Sequence, residues 1–244
     1  MSGPEVPAVP AVPAGSGEQA WEAWRAERHR SVTGPTGNLA LVETRWLPAG
    51  ERPDLDAVRA GQPETVTVTA VERTDMVSGE PEYGLRVWDA ASPAVRHFEH
   101  IDVFPYDPEW VREAEYIPVP GARRVGFEHI RDNGGSRDLV VPGDIVLTVD
   151  GTPYTLSAFD DDGTLLLVLG DPTNGDSTYG AGRFLFVTHT GDGKVLLDFN
   201  RAFVPPCGFS DQYNCPMPPR QNRFHLPVEA GEKLPVFREG FPAH

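Results

Sequence analysis

The chain has 244 residues with 36 acidic and 21 basic side chains, which gives a formal net charge of -15. Binding to nucleic acid depends on neutralising phosphates with Lys and Arg, so this charge argues against a nucleic-acid partner. No apolar stretch reaches the ~20 residues needed to span a bilayer, and the N-terminus lacks a secretory signal, so we expect no membrane partner and a cytoplasmic location.

The first residues differ in composition from the rest of the chain. Residues 1–17 are rich in Pro, Ala, Val and Gly and contain the near-repeat VPAVPAVPA. Such a segment favours extended polyproline geometry and does not build a core. We therefore predict a disordered tail over residues 1–17 and a β domain over residues 18–244.

A helix is predicted directly after the tail. The run EQAWEAWRAERHR places Trp21, Trp24 and Arg28 three and four positions apart, on one face of a helix. We expect this face to dock the two indoles on the body of the protein. A platform on which a ligand stacks is the alternative.

Strand signals begin further along the chain. TVTVTAV (65–71) alternates polar and apolar residues, which predicts a half-buried strand. GLRVWD (84–89) predicts the next strand, with SGEP as the turn between them. Asp107 followed by Pro108 predicts a cap and a short helix over PEWVREAE.

Beyond residue 138, short apolar runs follow one another, separated by turns such as Asp150-Gly151. The runs are DIVLTVD (144–150), TPYTLSAF (152–159), TLLLVLG (164–170), RFLFVT (183–188) and KVLLDF (194–199). Strands and turns at this spacing predict a single, mainly β domain, an antiparallel barrel or sandwich, with the N-terminal helix packed on it.

A proline-rich loop follows the last of these runs. Residues 203–223 contain five prolines and both cysteines, Cys207 and Cys215. Proline fixes φ and removes backbone donors, so this loop is stiff, and stiff loops on β scaffolds often form pocket walls. The two cysteines are buried thiols or a disulfide, a reactive thiol, or metal ligands. Their spacing does not match structural zinc, and we predict no metal site.

Two polar clusters flank this loop in sequence. In an extended strand, Asp198 and Asn200 share a face that binds a polar ligand, and Arg201 lies on the other. The alternative is that Asp198 pairs with an arginine and Asn200 bonds to backbone. In the Gly-rich loop 170–184, Arg183 anchors a carboxylate or forms an internal ion pair with Asp171 or Asp198. This loop lacks the Gly-Lys-Ser/Thr of a P-loop.

These motifs resemble those of the DUF1684 family of bacterial and archaeal proteins. The resemblance runs from WEAWRAERHR through GLRVWD, FPYDPEW and STYGAGRF to DFNRA, PPC, NCPMPP, QNRF and AGEK, roughly residues 18 to 235. CGF at 207–209 stands where members often carry Cys-Ala-aromatic, and residues 38–65 are divergent. The resemblance implies a shared fold and a shared site, but no catalytic role.

The leading hypothesis is a pocket between the STYGAGR loop and the DFNRA/proline loop that binds a small polar or anionic metabolite, with catalysis left open. Residues 200–244 carry five basic and four acidic side chains, which favours an anionic ligand in this acidic chain. The predicted ligand contacts are Thr178, Tyr179, Arg183, Asp198, Asn200 and Arg201. The catalytic candidates are Cys207, His225 and Asp198.

Two other functions remain open. A thiol-dependent enzyme or redox protein uses Cys207, with Cys215 as partner and His225 as base. A non-catalytic interaction module uses the Pro-rich tail to recruit a partner. The sequence predicts no cofactor, and it makes no prediction of the oligomeric state.

Overall fold

The computed structural model of the protein describes residues 17–74, 79–132 and 136–241. The predicted tail, residues 1–17, lies outside the described residues apart from Gly17, and so does part of the predicted SGEP turn. Within the described ranges, no helix is long and apolar enough to cross a membrane.

Strands dominate the described residues. In chain order they are β1 (Leu41–Trp46), β2 (Val66–Thr74), β3 (Pro81–Asp89), β4 (Phe98–Val103), β5 (Val111–Glu128), β6 (Ser136–Val149), β7 (Thr152–Asp161), β8 (Thr164–Leu169), β9 (Arg183–Gly191), β10 (Lys194–Asp198) and β11 (Glu232–Phe237). The α-helices are α1 (Glu18–Thr33), α2 (Leu55–Arg59) and α3 (Pro93–His97), and 3-10 turns occur at Asn38–Ala40, Pro108–Trp110, Phe199–Arg201, Pro206–Gly208 and Arg220–Asn222. The predicted mainly β fold with an N-terminal helix is confirmed.

Strands β5 to β10 form a closed antiparallel barrel in the order β10-β5-β6-β7-β8-β9. The circle closes because β10 pairs with both β9 and β5. Buried side chains fill the interior, among them Ile145, Leu156, Leu185 and Val195. Of the two architectures that the sequence left open, the barrel is the one formed.

Strand β8 explains the uninterrupted apolar run TLLLVLG. It lies between β7 and β9 in the barrel wall. Leu165, Leu167 and Leu169 belong to the cluster inside the barrel, whereas Leu166 and Val168 belong to an apolar cluster outside it. Because both faces of this strand are buried, the usual alternation of polar and apolar residues is lost.

Asp-Gly pairs close three of the barrel hairpins. At the β6–β7 turn, Asp150 has φ 48° and Gly151 has φ 77°. Two successive positive φ values define the turn whose twist matches paired strands, and Asp and Gly tolerate them best. The same pattern recurs at Asp162-Gly163 and Asp192-Gly193. The predicted hairpins at these places are confirmed.

Helix α1 packs against the outside of the barrel. Trp21 and Trp24 are buried in the outer apolar cluster together with Leu166 and Val168 of β8. The Trp21 indole also donates a hydrogen bond of 2.9 Å to the Asn200 carbonyl. The predicted docking of both indoles on the body of the protein is therefore confirmed.

Arg28, the third residue on this helix face, forms a buried ion pair with Glu232 of β11. Nε lies 3.0 Å from Oε1, and the two side chains are only 3% and 2% exposed. Arg28 Nη2 donates to the Val204 carbonyl over 2.8 Å, and Glu232 Oε2 accepts the Val204 amide over 2.7 Å. This pair therefore joins α1, β11 and the proline-rich loop.

Two smaller sheets complete the fold. One is antiparallel with the strand order β1-β3-β2, and the other pairs β11 with β4. The predicted strands 65–71 and 84–89 correspond to β2 and β3. The sequence did not predict β1, β4 or β11. Each of them buries at most two of its six residues, so no apolar alternation marks them.

The predicted helix over PEWVREAE is wrong beyond its first turn. Asp107 does act as a cap and accepts the Glu109 amide over 2.8 Å, but the 3-10 turn ends at Trp110. Val111 begins β5, which pairs with β10 at this point. Pairing within the barrel overrides the helix propensity of Arg, Glu and Ala.

Removing Arg28 should destabilise the protein strongly. We expect Arg28→Met to lower the free energy of unfolding by about 3–5 kcal/mol, because Glu232 then stays buried without a charged partner. Arg30→Met is a matched control in the same helix, since Arg30 pairs with Glu27 at 65% and 37% exposure. Its loss should cost less than about 1 kcal/mol. Urea unfolding measures both, and equal losses would contradict the role given to the buried pair.

Candidate functional site

An internal ion pair holds the Gly-rich loop between β8 and β9. Arg183 is fully buried, and its Nη2 lies 2.9 Å from Asp171 Oδ2. The same nitrogen donates to the Val228 carbonyl over 2.8 Å, and Nη1 donates to the Ala230 carbonyl. Burial lowers the pKa of Arg183, and the charge of Asp171 opposes this shift. The guanidinium is thus surrounded by protein groups and ties the loop to the segment before β11.

The other predicted contacts from this loop also bond within the protein. Thr178 is 1% exposed, and its Oγ1 lies 2.8 Å from the Thr173 hydroxyl. The half-buried Tyr179 donates its hydroxyl to the Cys207 carbonyl over 3.1 Å. The Gly-rich loop therefore contacts the proline-rich loop, as predicted for the two sides of a pocket. The polar groups of Thr178 and Tyr179, however, already form hydrogen bonds within the protein.

The cluster after β10 is arranged differently from the prediction. The strand ends at Asp198, whose side chain caps the turn Phe199–Arg201 and accepts the Asn200 amide over 3.2 Å. Asp198 and Asn200 therefore do not share a strand face, because a carboxylate that bonds to the following backbone favours a turn over an extended strand. Asp198 also forms an ion pair with Arg201, with Oδ2 3.1 Å from Nε.

Asn200 is 1% exposed and bonds to the loop before β5. Its Oδ1 accepts the Asp107 amide and its Nδ2 donates to the Asp107 carbonyl, both over 2.9 Å. The second N–H of this amide goes to Asp198 Oδ1 over 3.0 Å. Both donors of the Asn200 side chain are therefore used within the protein.

Asp198 and Arg201 also line a depression on the outside of the barrel. Its empty volume, including space open to solvent, is about 960 Å³. The lining residues are Gly17, Trp24, Tyr106, Pro108, Val111, Phe186, Thr188, Leu196, Asp198, Arg201 and Phe203. Since its two charged groups pair with each other, this depression presents mainly aromatic and aliphatic surface.

Cys207 and Cys215 are free, buried thiols. The Cys207 amide donates to Cys215 Sγ over 3.3 Å. A hydrogen bond from the Cys215 thiol lowers the pKa of Cys207, whereas burial raises the pKa of Cys215. Among the described residues, no group of three or more His, Cys, Asp or Glu is arranged to hold a metal ion.

His225 lies apart from these thiols. It is exposed, its Nδ1 lies 2.9 Å from the Tyr154 hydroxyl and its Nε2 lies 3.3 Å from Thr152 Oγ1. Cys207 belongs instead to the apolar cluster outside the barrel. The structure therefore does not bring the predicted base and the predicted nucleophile together.

A different set of residues forms an open cleft, which we call the arginine cleft. It lies between the sheet β1-β3-β2, the β5–β6 hairpin and the proline-rich loop, and its empty volume, including space open to solvent, is about 670 Å³. The lining residues are Thr44, Trp46, Val71, Glu72, Arg73, Arg86, His129, Arg137, Pro206, Gln212, Tyr213, Asn214, Cys215 and Pro216. Its walls thus come from β1, β2, β3, β6 and two loops.

The wall made by the proline-rich loop is fixed to the edge strand β1. The Thr44 amide donates to Gln212 Oε1 over 2.9 Å, and Thr44 Oγ1 donates to the Gln212 carbonyl over 3.0 Å. On the other side, the Ile130 amide donates to the Cys215 carbonyl over 3.0 Å. The loop is therefore bonded on both sides of the cleft.

Arg73, Arg86 and Arg137 bring three guanidinium groups to the cleft. Arg73 pairs with Glu82, with 2.6 Å between Nε and Oε2. Arg137 donates to both carboxylate oxygens of Asp132, over 2.7 and 3.0 Å. Neither of these carboxylates lines the cleft, so each pair orients a guanidinium from behind.

His129 directly follows β5 and lines the same cleft at 3% exposure. Its Nδ1 lies 3.0 Å from the Phe127 carbonyl. Its Nε2 is buried and has no hydrogen-bond partner among the described residues. Burial lowers the pKa of His129, the bond to Phe127 opposes this, and the charges of Arg137 and Asp132 act in opposite directions. The imidazole is therefore neutral at pH 7.

The sequence did not single out His129 or the three arginines. They come from segments separated by up to tens of residues, and no spacing rule for a known chemistry connects them. The one local signal is in EHIRDNGGSRD (128–138), where a histidine and two arginines flank a Gly-Gly pair in the sequence. The sequence does not show that β2 and β3, which carry Arg73 and Arg86, lie next to this segment in the folded protein.

Comparison with known proteins assigns the chain to a family. Residues 96–233 match the model of a family described as protein of unknown function, DUF1684. The chain belongs to the DUF1684 family. The match includes the whole barrel and the proline-rich loop of this DUF1684 protein, whereas α1 and β1 to β3 precede it. His129, Arg137 and the loop wall of the cleft lie within the match; Arg73 and Arg86 do not.

A solved structure is also similar to this DUF1684 protein. It is the solution NMR structure of an uncharacterised protein from Haloarcula marismortui, with 29% sequence identity and a TM-score of 0.46. The similarity covers 56% of this chain and 77% of that one. No curated protein matches the chain.

His129 should make the stability of this DUF1684 protein depend on pH. Below about pH 6.5, the unfolded chain takes up a proton on this imidazole that the folded protein does not, so the free energy of unfolding falls as the pH falls. His129→Asn keeps an N–H near the position of Nδ1 but does not titrate. We expect the stability advantage of the wild type to shrink by up to about 1.4 kcal/mol per pH unit between pH 6.5 and 5. Urea unfolding at several pH values measures this, and parallel profiles would contradict it.

Proposed function

We propose that this protein binds a small anionic ligand in the arginine cleft. The observation that supports this most directly is the set of guanidinium groups in the lining. Among the described lining residues, the charged side chains are Arg73, Arg86, Arg137 and the exposed Glu72. Glu82 and Asp132 already neutralise two of these guanidinium groups, so their unused N–H donors, rather than a net positive charge, favour an anion.

The ion pairs behind the cleft prepare it for such a ligand. Arginine has five N–H donors in a planar fork, more than the contacts of Arg73 with Glu82 and Arg137 with Asp132 use. A guanidinium that is already oriented loses less side-chain entropy when it binds a carboxylate or a phosphate.

The proposed ligand class is the one predicted from the sequence, but the proposed place is different. The six predicted contacts bond largely within the protein, and three of them, Thr178, Arg183 and Asn200, are at most 1% exposed. The proline-rich loop still contributes a wall of the cleft, through Gln212 and Cys215 among others. A catalytic step is not part of this proposal.

Thermal shift and calorimetry with defined anions test the proposal. The probes are inorganic phosphate, phosphate monoesters and mono-, di- and tricarboxylates. We expect at least one of them to raise the Tm of the wild type, and Arg73→Gln and Arg137→Gln each to weaken its binding by about tenfold or more, because a charge-assisted hydrogen bond is lost.

Arg45→Gln is the matched control for these variants. Arg45 lies on β1 of the same sheet and pairs with Glu43 at the surface, outside the lining of the cleft. We expect it to bind the probes as the wild type does. No Tm shift with any probe, or equal affinities of the wild type and both cleft variants, would contradict the proposal.

A second candidate function is redox chemistry of the two thiols. It is favoured by the contact of the Cys207 amide with Cys215 Sγ at 3.3 Å, which places both cysteines side by side. Oxidation by a hydroperoxide would form the Sγ–Sγ bond. Both thiol protons and two electrons then pass to the peroxide, which leaves as water and an alcohol, or as two waters from hydrogen peroxide.

Mass spectrometry after peroxide treatment tests the second candidate. We expect the wild type to lose two hydrogens and both alkylatable thiols within one chain, whereas Cys215→Ser forms no intramolecular bond. The burial of both thiols makes this reaction slow in comparison with an exposed pair. Two thiols that remain alkylatable after unfolding of the peroxide-treated protein would count against this function.

A further inference from the structure

The hydrogen bond behind His129 determines the chemistry of its other nitrogen. Nδ1 lies 3.0 Å from the carbonyl oxygen of Phe127. A carbonyl oxygen only accepts hydrogen bonds, so Nδ1 carries the proton. In a neutral imidazole only one nitrogen is protonated, and Nε2 therefore has a lone pair and acts as an acceptor.

This acceptor has no partner within the described part of the chain. Nε2 is buried, and the residue as a whole is only 3% exposed. A buried polar atom without a hydrogen bond is unfavourable, because it has lost its bond to water without gaining another. Since His129 lines the arginine cleft, a molecule that reaches the imidazole from that cleft would supply the missing donor.

The position of the imidazole is fixed by the backbone on both sides. His129 forms a β-bridge with Pro216. The Met217 amide donates to the Glu128 carbonyl over 2.7 Å, and the Ile130 amide donates to the Cys215 carbonyl over 3.0 Å. The backbone that carries the ring is therefore held between the end of β5 and the proline-rich loop, which reduces the ordering that ligand recognition would require.

We infer that the ligand of the arginine cleft carries a hydroxyl group beside its anionic group, and that this hydroxyl donates a hydrogen bond to His129 Nε2. This inference rests on the proposed binding of an anion. The guanidinium groups of Arg73 and Arg137 have only donors to offer and bind the carboxylate or phosphate. The neutral imidazole of His129 is the complementary acceptor. The arginines therefore bind the anionic group of a hydroxy acid or of a phosphorylated alcohol, and His129 binds its hydroxyl group.

Other donors are less well matched to this site. An ammonium group would lie close to the arginines, which would repel it. A carboxylate or a phosphate dianion has no proton to donate to Nε2 at pH 7, and it binds the arginines instead. A neutral hydroxyl avoids both problems.

Matched pairs of anions test the inference. The probes are malate with succinate and with methoxysuccinate, and glycerol 3-phosphate with propyl phosphate. Within a series, the hydroxylated anion should bind about tenfold more tightly than the anion without the hydroxyl, since one hydrogen bond to a buried acceptor is worth about 1.4 kcal/mol. Methoxysuccinate, the methyl ether of malate, cannot donate a hydrogen bond and should bind no more tightly than succinate.

His129→Asn keeps an N–H near the position of Nδ1 and places no acceptor at the position of Nε2. It should bind hydroxylated and deoxy anions equally, with the deoxy affinity of the wild type. Nitrogen NMR of the wild type, which needs no variant to fold, should show a protonated Nδ1 and an unprotonated Nε2 in the free protein at pH 7. A shift of the Nε2 resonance should follow addition of the hydroxylated anion.

The outcomes separate this inference from the proposed function. Anions that bind in an arginine-dependent way, but without preference for the hydroxyl, would overturn the inference and leave the proposed function intact. A protonated Nε2 in the free protein would overturn it as well. If none of the probes binds at all, the proposed function fails, and the inference fails with it.

Discussion

The arrangement of this protein depends on one buried carboxylate, Glu232. Its side chain accepts hydrogen bonds from Arg28 and from the Val204 amide, its own amide donates to the Ala202 carbonyl over 2.7 Å, and its carbonyl lies 3.4 Å from Arg183 Nη1. A charge in the interior is tolerated only when every such partner is in place. Glu232 therefore fixes the relative positions of helix α1, the start of the proline-rich loop and the Gly-rich loop. The proline-rich loop, which forms a wall of the arginine cleft, is held in place by the same contacts.

The parts of the fold that the sequence predicted are those held by local chemistry. Strands β6 to β10 were recognisable because Asp-Gly turns and short apolar runs act over a few residues, as at Asp150 and Gly151. β1, β4 and β11 exist through pairing with distant strands and bury few side chains, so local pattern could not indicate them. At Val111 the pattern misled, because barrel pairing outweighs a modest helix propensity.

The candidate site was predicted less well, for a physical reason. The sequence identifies Arg183 and Asn200 as polar residues near glycines and prolines, but it does not show whether their side chains bond to a ligand or to other groups of the protein. In the structure both are buried and bond to groups of the protein. The arginine cleft joins Arg73 and Arg86 from one sheet with His129 and Arg137 from the barrel, and their proximity results from tertiary packing that no spacing in the chain encodes.

The bonds between Thr44 and Gln212 have a consequence for association between molecules. In the order β1-β3-β2, one side of β1 pairs with no strand of its sheet, and open strand edges recruit strands from other chains. The proline-rich loop covers this edge with side chains: Gln212 takes the Thr44 amide, and Ser210 Oγ donates to the Leu41 carbonyl over 2.7 Å. The loop that forms a wall of the cleft thus also covers the open edge of β1, which hinders its pairing with a strand of another chain.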